Sequence, residues 1–424
     1  MLESQGDRIK CKGNDAGFAH SIKVAAWRLN HPLQFGVSVL AWLIAVAWLW
    51  KLIGAARGLP RIPNLLQQQF NRAPTGNPSL TVIVPGRNEA ANIAATLQSL
   101  LDQDYPNLYI IAVDDRSTDA TGAIMDSLAS QHPDKLIALH VKELPSGWLG
   151  KTHAMALAAR HAIAIHRPDY LLFTDADILF HREALRRSLA QAVATEADHF
   201  VTFPTPIIKT PGEGMLLGYL QVIGLWATRP WRASKPRAIR DSVGIGAFNL
   251  LRTSAYQQLG GFDALRMEIL EDLTLARSVK LAGLRQRVAI APGMVSLHWA
   301  SGAIGIVNVM TKNLFAVFRF RMPLVLLTIL WLTLFCIAPV AFLFLPETRI
   351  PAILTLAAIT GLYLLSSRHS RISPWYAALF PIGGALFIYS LLRSVLTTLK
   401  DGGVTWRGTF YPLADLRKNK APLR

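Results

Sequence analysis

Two acidic pairs dominate what this sequence could do chemically. Asp114 and Asp115 stand in "VDDRSTDAT", and Asp175 and Asp177 stand in "FTDADI", each pair at the end of a hydrophobic run. Carboxylates gathered at one place repel one another and hold their protons more tightly, unless a cation sits among them. A hard divalent ion such as Mg²⁺ resolves the conflict, because it takes carboxylate oxygens and completes its shell with water and substrate phosphates. The bland reading of either pair alone is a helix cap or a solvated turn. Two such clusters at successive strand ends favour a cation site.

The elements around the pairs put them on one edge. "LTVIVP" (80–85), "LYIIAV" (108–113), "KLIALHV" (135–141) and "YLLFT" (170–174) read as buried strands, separated by stretches with helical spacing such as Ile93, Leu97, Leu100 and Leu101. Strand, helix, strand in repetition predicts an α/β domain with a mostly parallel, Rossmann-like sheet and right-handed crossovers. Ligands of such sheets gather at the carboxyl ends of the strands, where all four aspartates fall.

The chain of 424 residues is 51% hydrophobic, with a formal net charge of +17. With its positive mean hydropathy, this describes a membrane protein with a sizeable soluble part. Residues 1–34 form a polar N-terminal tail, 35–55 an apolar run long enough to cross a bilayer, and 78–300 the soluble domain. The stretch 304–321, "IGIVNVMTKNLFAVFRFR", has the amphipathic, basic and aromatic character of an interfacial helix, with Lys312, Arg319 and Arg321 toward headgroups and Phe315, Phe318 and Phe320 toward acyl chains. Three further spans are expected within 323–397, followed by a basic tail at 398–424. The loop with Arg368 and Arg371 falls on the cytoplasmic side if the soluble domain does. Four spans would then carry both basic tails outside, against the charge rule. The positive excess fits attraction to anionic lipid, and no nucleic-acid motif accompanies it. Cys11 and Cys336 lie in a polar tail and an apolar run, which argues against a structural disulfide.

Taken together, "TVIVPGRNEAANI", "VDDRSTDAT", "FTDADI" and "ILEDLTLARSVKLAG" resemble the successive motifs of family 2 glycosyltransferases. The resemblance covers about 80–285. "LPSGWLGKTHAMA", with an anchor before the domain and spans after it, is similar to a membrane branch that includes hopanoid-associated and carotenoid-type enzymes.

The resemblance implies a GT-A fold, a nucleotide-diphosphate sugar donor, a divalent cation (Mg²⁺ or Mn²⁺) and inversion at the anomeric carbon. It places Pro85, Arg87 and Glu89 beside the nucleotide, Asp115 on the base, and Asp175 and Asp177 at the metal and diphosphate, with Asp177 the direct ligand. Asp272 becomes the general base and Glu271 its helper, although acids in a helix's first turn are also favoured by the dipole alone. Lys151, near a helix start in "GWLGKTHA", touches the donor diphosphate or is a solvated surface lysine. Trp148 stacks on a ligand or packs in the core. His298 completes a metal site or is a satisfied core histidine. The stretch 306–321 lacks the Q-x-x-R-W type motif of processive synthases.

The reading that follows is a membrane enzyme of the bacterial inner membrane type, its catalytic domain facing the cytoplasm. It moves one sugar, UDP-linked in the first instance, to a lipid or amphipathic acceptor. A processive polysaccharide synthase and a non-catalytic sugar-nucleotide binder are the alternatives.

Overall fold

The computed structural model describes residues 15–418, with side chains from residue 34 onward. Cys11 and much of the expected N-terminal tail lie outside the described residues. In chain order the elements begin with α1 (Asp15–Gly58), β1 (Leu80–Gly86), α2 (Ile93–Leu101), β2 (Leu108–Asp115), α3 (Thr121–Gln131), β3 (Leu136–Val141), α4 (Gly150–Ile165) and β4 (Tyr170–Phe173). Then come β5 (Ile178–Phe180), α5 (Ala184–Ala194), β6 (His199–Phe203), β7 (Thr205–Pro206), α6 (Pro211–Ala227), β8 (Asn249–Arg252), α7 (Thr253–Gln258), α8 (Glu271–Leu281), β9 (Gln286–Ile290) and β10 (Val295–Leu297). The chain continues with α9 (Gly302–Val317), α10 (Met322–Leu332), α11 (Ala338–Phe342), α12 (Arg349–Ser370), α13 (Phe380–Lys400), β11 (Gly403–Trp406), β12 (Thr409–Pro412) and α14 (Leu413–Lys418).

The central sheet runs β3-β2-β1-β4-β8-β6-β9. Its strands are parallel except β8, which is antiparallel to both β4 and β6. The reversal of β8 puts its amino end on the edge where β1, β2 and β4 finish. Burial on both faces explains the near-continuous hydrophobic strands. Alternation then sorts the side chains: Val82, Val84, Ile110 and Ala112 join α2, α3 and α5 in one core, while Ile83, Ile111 and Val113 join α4 in the other.

The same alternation separates the first acidic pair. Asp114 turns to the α3 side, where it accepts from the Ser117 N–H at 3.0 Å and sits 3.3 Å from His140. Asp115 turns to the α4 side. The expectation that all four aspartates converge is therefore corrected to three, because neighbouring strand residues face opposite ways.

Among the described residues, four helical segments are long and apolar enough to cross a membrane: Gln34–Arg61, Met322–Phe342, Pro346–Ser370 and Pro374–Lys400. Trp48, Ile359, Leu362, Tyr363 and Phe380 pack in a core shared with α6 of the soluble domain. Two expectations about the C-terminal region change. On α9, Phe315 is buried against Phe320, and Lys312 points into the soluble domain, because α9 is wedged between α6 and α13 and has little surface left for headgroups. Residues 403–412, expected as tail, form an antiparallel hairpin whose two-residue turn, Arg407-Gly408, has positive φ at both positions.

His199 on β6 is fully buried between two amides: its Nε2 lies 2.8 Å from Asn249 Oδ1 and its Nδ1 2.8 Å from Gln286 Nε2. One acceptor and one donor suit the neutral ring. Burial pushes its pKa down to about 4, from 6.5. The unfolded chain therefore binds the extra proton first, and stability is lost as pH falls from 6.5 toward 4, by about 3 kcal/mol at most. Thermal unfolding of the detergent-solubilised chain should show this slope between pH 7 and pH 4.5, and His199→Asn should flatten it.

Candidate active site

A cavity of about 570 Å³ opens at the carboxyl edge of the sheet. Pro85 and Arg87 reach it from the end of β1, Asp115 from β2, Asp175 and Asp177 from the turn after β4, Lys151 from the first turn of α4, and Glu271 and Asp272 from the first turn of α8. Of the residues to which the resemblance gives a nucleotide, metal or catalytic role, Glu89 alone does not line this cavity. Its carboxylate instead meets Arg407 Nη2 at 2.5 Å.

The turn carrying Asp175 and Asp177 is fixed by what lies between and beside them. Ala176 is buried, and its carbonyl accepts from the Thr96 hydroxyl at 2.9 Å; the Thr174 hydroxyl donates to the Ala247 carbonyl at 2.8 Å. With its flanks anchored in the core, the turn presents both carboxylates to the cavity.

Lys151 lies at the centre. Its Nζ is 2.5 Å from Asp175 Oδ1 and 2.6 Å from Glu271 Oε1. Burial disfavours its charge, but the two carboxylates outweigh that and hold its pKa above the ordinary value. The same ammonium overcomes the effect of burial on Asp175 and keeps that carboxyl low. Glu271 nevertheless rises, through burial and the nearby charge of Asp272. Asp272 is raised too, chiefly by burial, against the opposing pull of Lys151.

Asp177 is the least satisfied of the acids. Its Oδ1 is buried without a hydrogen-bond partner, and burial, then Asp175, then Glu89 push its pKa up to about 7. Among the described residues no three Asp, Glu, His or Cys side chains form a ready-made metal cage. A divalent ion that takes one or two carboxylates and fills its shell from substrate and water does fit this orphaned oxygen.

Close backbone approach is needed at two points. A Cβ on Gly150 would collide with the Asp115 carboxylate, and one on Gly244 would collide with the Asp272 carbonyl. Asp115 itself is buried and gripped by its neighbour Arg116, with Nε to Oδ1 at 2.8 Å and Nη2 to Oδ2 at 3.2 Å.

Two residues with open roles are placed away from the cavity. Trp148 packs in the α4 core with Arg266 stacked 4.8 Å from its ring, and His298 pairs with the buried Glu213 at 3.4 Å. Neither lines the cavity. Several lining residues escape the sequence reading: Leu217, Trp299, Val309, Lys312, Asn313, Trp406, Arg407 and Tyr411. The signal for the last three was present, since "VTWRGTFY" is an X-Gly turn between β-prone runs.

The geometry is thus an acidic wall, facing cations on α9 and the hairpin, with an apolar end toward α6 and α9. Comparison with known proteins agrees with the motifs that run through it. Residues 81–260 match the family described as "Glycosyl transferase family 2". The 4,4'-diaponeurosporenoate glycosyltransferase of Staphylococcus haemolyticus is 24% identical over 260 residues, which is 60% of this chain and 66% of that protein. The protein of the same name from Staphylococcus aureus is 25% identical over 46% of this chain and 50% of its own length. The chain therefore spans between half and two thirds of these relatives. A solved structure of the mannosyltransferase PcManGT from Pyrobaculum calidifontis, with GDP-Man and Mn²⁺, aligns over 85% of this chain and 99% of its own, at 21% identity and a TM-score of 0.48. The segment 81–260, which carries most of this cavity, is thus a family 2 glycosyltransferase domain.

Proposed function

We propose that the chain is an inverting glycosyltransferase that moves a single sugar from a nucleotide-diphosphate donor, a UDP-sugar in the first instance, to a lipid or amphipathic acceptor at the membrane face. The observation that carries this reading is that Asp115, Asp177 and Asp272, from three distant parts of the chain, line one cavity. A non-catalytic binder would have no need of a buried acid at the start of α8. The relatives' names give a direction for the acceptor: they are glycosyltransferases of 4,4'-diaponeurosporenoate. The apolar end of the cavity, with Leu217, Trp299 and Val309, fits an amphipathic acceptor of that sort.

Asp272 takes the proton of the acceptor hydroxyl as that oxygen forms its bond to the anomeric carbon. The bond from that carbon to the diphosphate oxygen breaks on the opposite face, so the configuration inverts. A raised pKa makes Asp272 a stronger base than an exposed aspartate. Glu271, held on Lys151, keeps the neighbouring base in place, and Asp115 faces the nucleotide base. A divalent cation, when bound, would be held by Asp177 with Asp175 and would neutralise charge on the leaving diphosphate.

The membrane part supports a cytoplasmic domain on three spans. Both ends of α13 are tied to the soluble domain. Before it, Arg371 Nη2 donates to the Pro292 carbonyl at 3.0 Å and Tyr376 packs on Gly214. After it, the hairpin enters the cavity. Exposed Ile382, Tyr389, Leu392, Leu396 and Leu399 recur along one face of α13, as in a helix lying at the lipid boundary. With α13 lying rather than crossing, Arg368, Arg371, Lys400 and the C-terminal tail share the domain's side, and the charge rule is obeyed there.

Membranes containing the chain, given a panel of labelled nucleotide sugars and then extracted for lipid, should yield label in the lipid phase with at least one donor. No label with any donor would overturn the lipid-acceptor reading. Asp272→Asn should lower turnover at least about a hundredfold, the scale of general-base catalysis, with little change in donor affinity. Chelation should abolish turnover, and Asp177→Asn should weaken Mn²⁺ binding followed by electron paramagnetic resonance; unchanged Mn²⁺ affinity would remove Asp177 from the metal site. Reporters fused after residue 424 and inserted at the domain surface should score on the same side of the membrane. Opposite sides would restore α13 as a span.

A further inference from the structure

The cavity has more positive groups than the acidic wall uses. Lys151 is taken by Asp175 and Glu271. Arg87 donates to Thr409 Oγ1 at 3.0 Å, and Arg407 donates to the Arg87 carbonyl and to Glu89. Lys312 is different. Among the described residues its ammonium has no hydrogen-bond acceptor and no carboxylate partner; it lies over the ring of Trp406, 4.3 Å from Nζ to the centroid.

We propose that Lys312 is the donor-diphosphate cation of this site, and that the hairpin β11–β12 is a fixed wall that holds it there. The inference rests on the nucleotide-sugar reading above and adds a residue to it. An ammonium drawn out of water without an anion is costly, and a cation–π contact offsets only part of that. Burial, followed by the positive charges of Arg407 and Lys151, pushes Lys312 down to about 8. A diphosphate beside it would supply the missing counter-charge and would gain from it most as the sugar bond breaks and negative charge builds on the leaving oxygen.

The position is built rather than incidental. Helix α9 is locked to α13 by the Phe315 N–H on Ser394 Oγ at 3.0 Å and by Arg393 on Asn308 Oδ1 at 2.6 Å. The hairpin is locked to the first-strand loop through Arg407, and to α4 through the Gly150 N–H on the Tyr411 hydroxyl at 3.2 Å. Lys312 therefore sits on a helix anchored to its neighbour, beside an aromatic ring whose hairpin is tethered at its turn and on β12.

The test uses the full chain in detergent, titrated calorimetrically with UDP and GDP and with uridine and guanosine, in the presence of Mn²⁺. Lys312→Gln should weaken the nucleoside diphosphate that binds by about tenfold or more, the scale of one lost charge-assisted contact, and should leave binding of the nucleoside within about twofold. Lys312→Arg, which keeps the charge, should retain diphosphate affinity within about threefold. Retained nucleoside binding in Lys312→Gln reports that the site is still folded. Wild-type affinity for diphosphate in Lys312→Gln would overturn the assignment of Lys312 alone. A wild-type chain that binds neither UDP nor GDP would overturn the donor reading beneath it.

Discussion

A single half-buried ammonium holds this site together. Lys151 joins the turn after β4 to the start of α8 through Asp175 and Glu271, and its own backbone begins α4. Three elements distant in sequence are tied by one charge. Without it Asp175, Asp177, Glu271 and Asp272 would share a poorly solvated space with no ammonium among them, and their repulsion would be relieved only by protonation or by the turns drawing apart. With it, two of the acids share one ammonium of the protein. Asp177 and Asp272 remain, one with an orphaned oxygen and both with raised pKa values. The protein gives its ammonium to the acids that position and none to the two suited to a cation or a proton.

This division depends on strand geometry more than on acid count. A register shift of one residue would exchange Asp114 for Asp115 in the cavity and send Val113 to the opposite core. Parallel pairing along the length of β1 and β2, from Leu80 with Leu108 to Gly86 with Asp114, fixes that choice, because both faces of the strands are buried and both would be wrong after a slip. The glycines at 150 and 244 complete the fit. They let backbone approach Asp115 and Asp272 where any side chain would intrude.

Much of this was legible in the sequence because it is local. Continuous hydrophobic runs marked the strands, and acids at the ends of β2 and β4 marked the edge. What was not legible depends on tertiary placement. No local pattern distinguishes Lys312 facing headgroups from Lys312 facing a cavity; the difference is that α13 occupies the side of α9 that would otherwise meet lipid. Asp114 was misplaced by treating an acidic pair as a unit, although alternation separates its members. The hairpin was passed over as a basic tail because charge was weighed before turn chemistry, yet Arg407-Gly408 between β-prone residues carried the stronger signal.

The hairpin also explains why the chain returns from its apolar segments to the soluble domain. A site made only from the sheet edge would be open opposite the acidic wall, and solvent there would weaken every charge interaction within it. α9 and the hairpin close that side with Lys312, Trp406 and Arg407, while α6 and α9 leave an apolar end beside the segments long enough to enter a bilayer. Under the proposed function, polar donor and apolar acceptor have separate approaches to Asp272. The apolar helices thus also support the site, since the elements that finish the cavity are the ones packed against them.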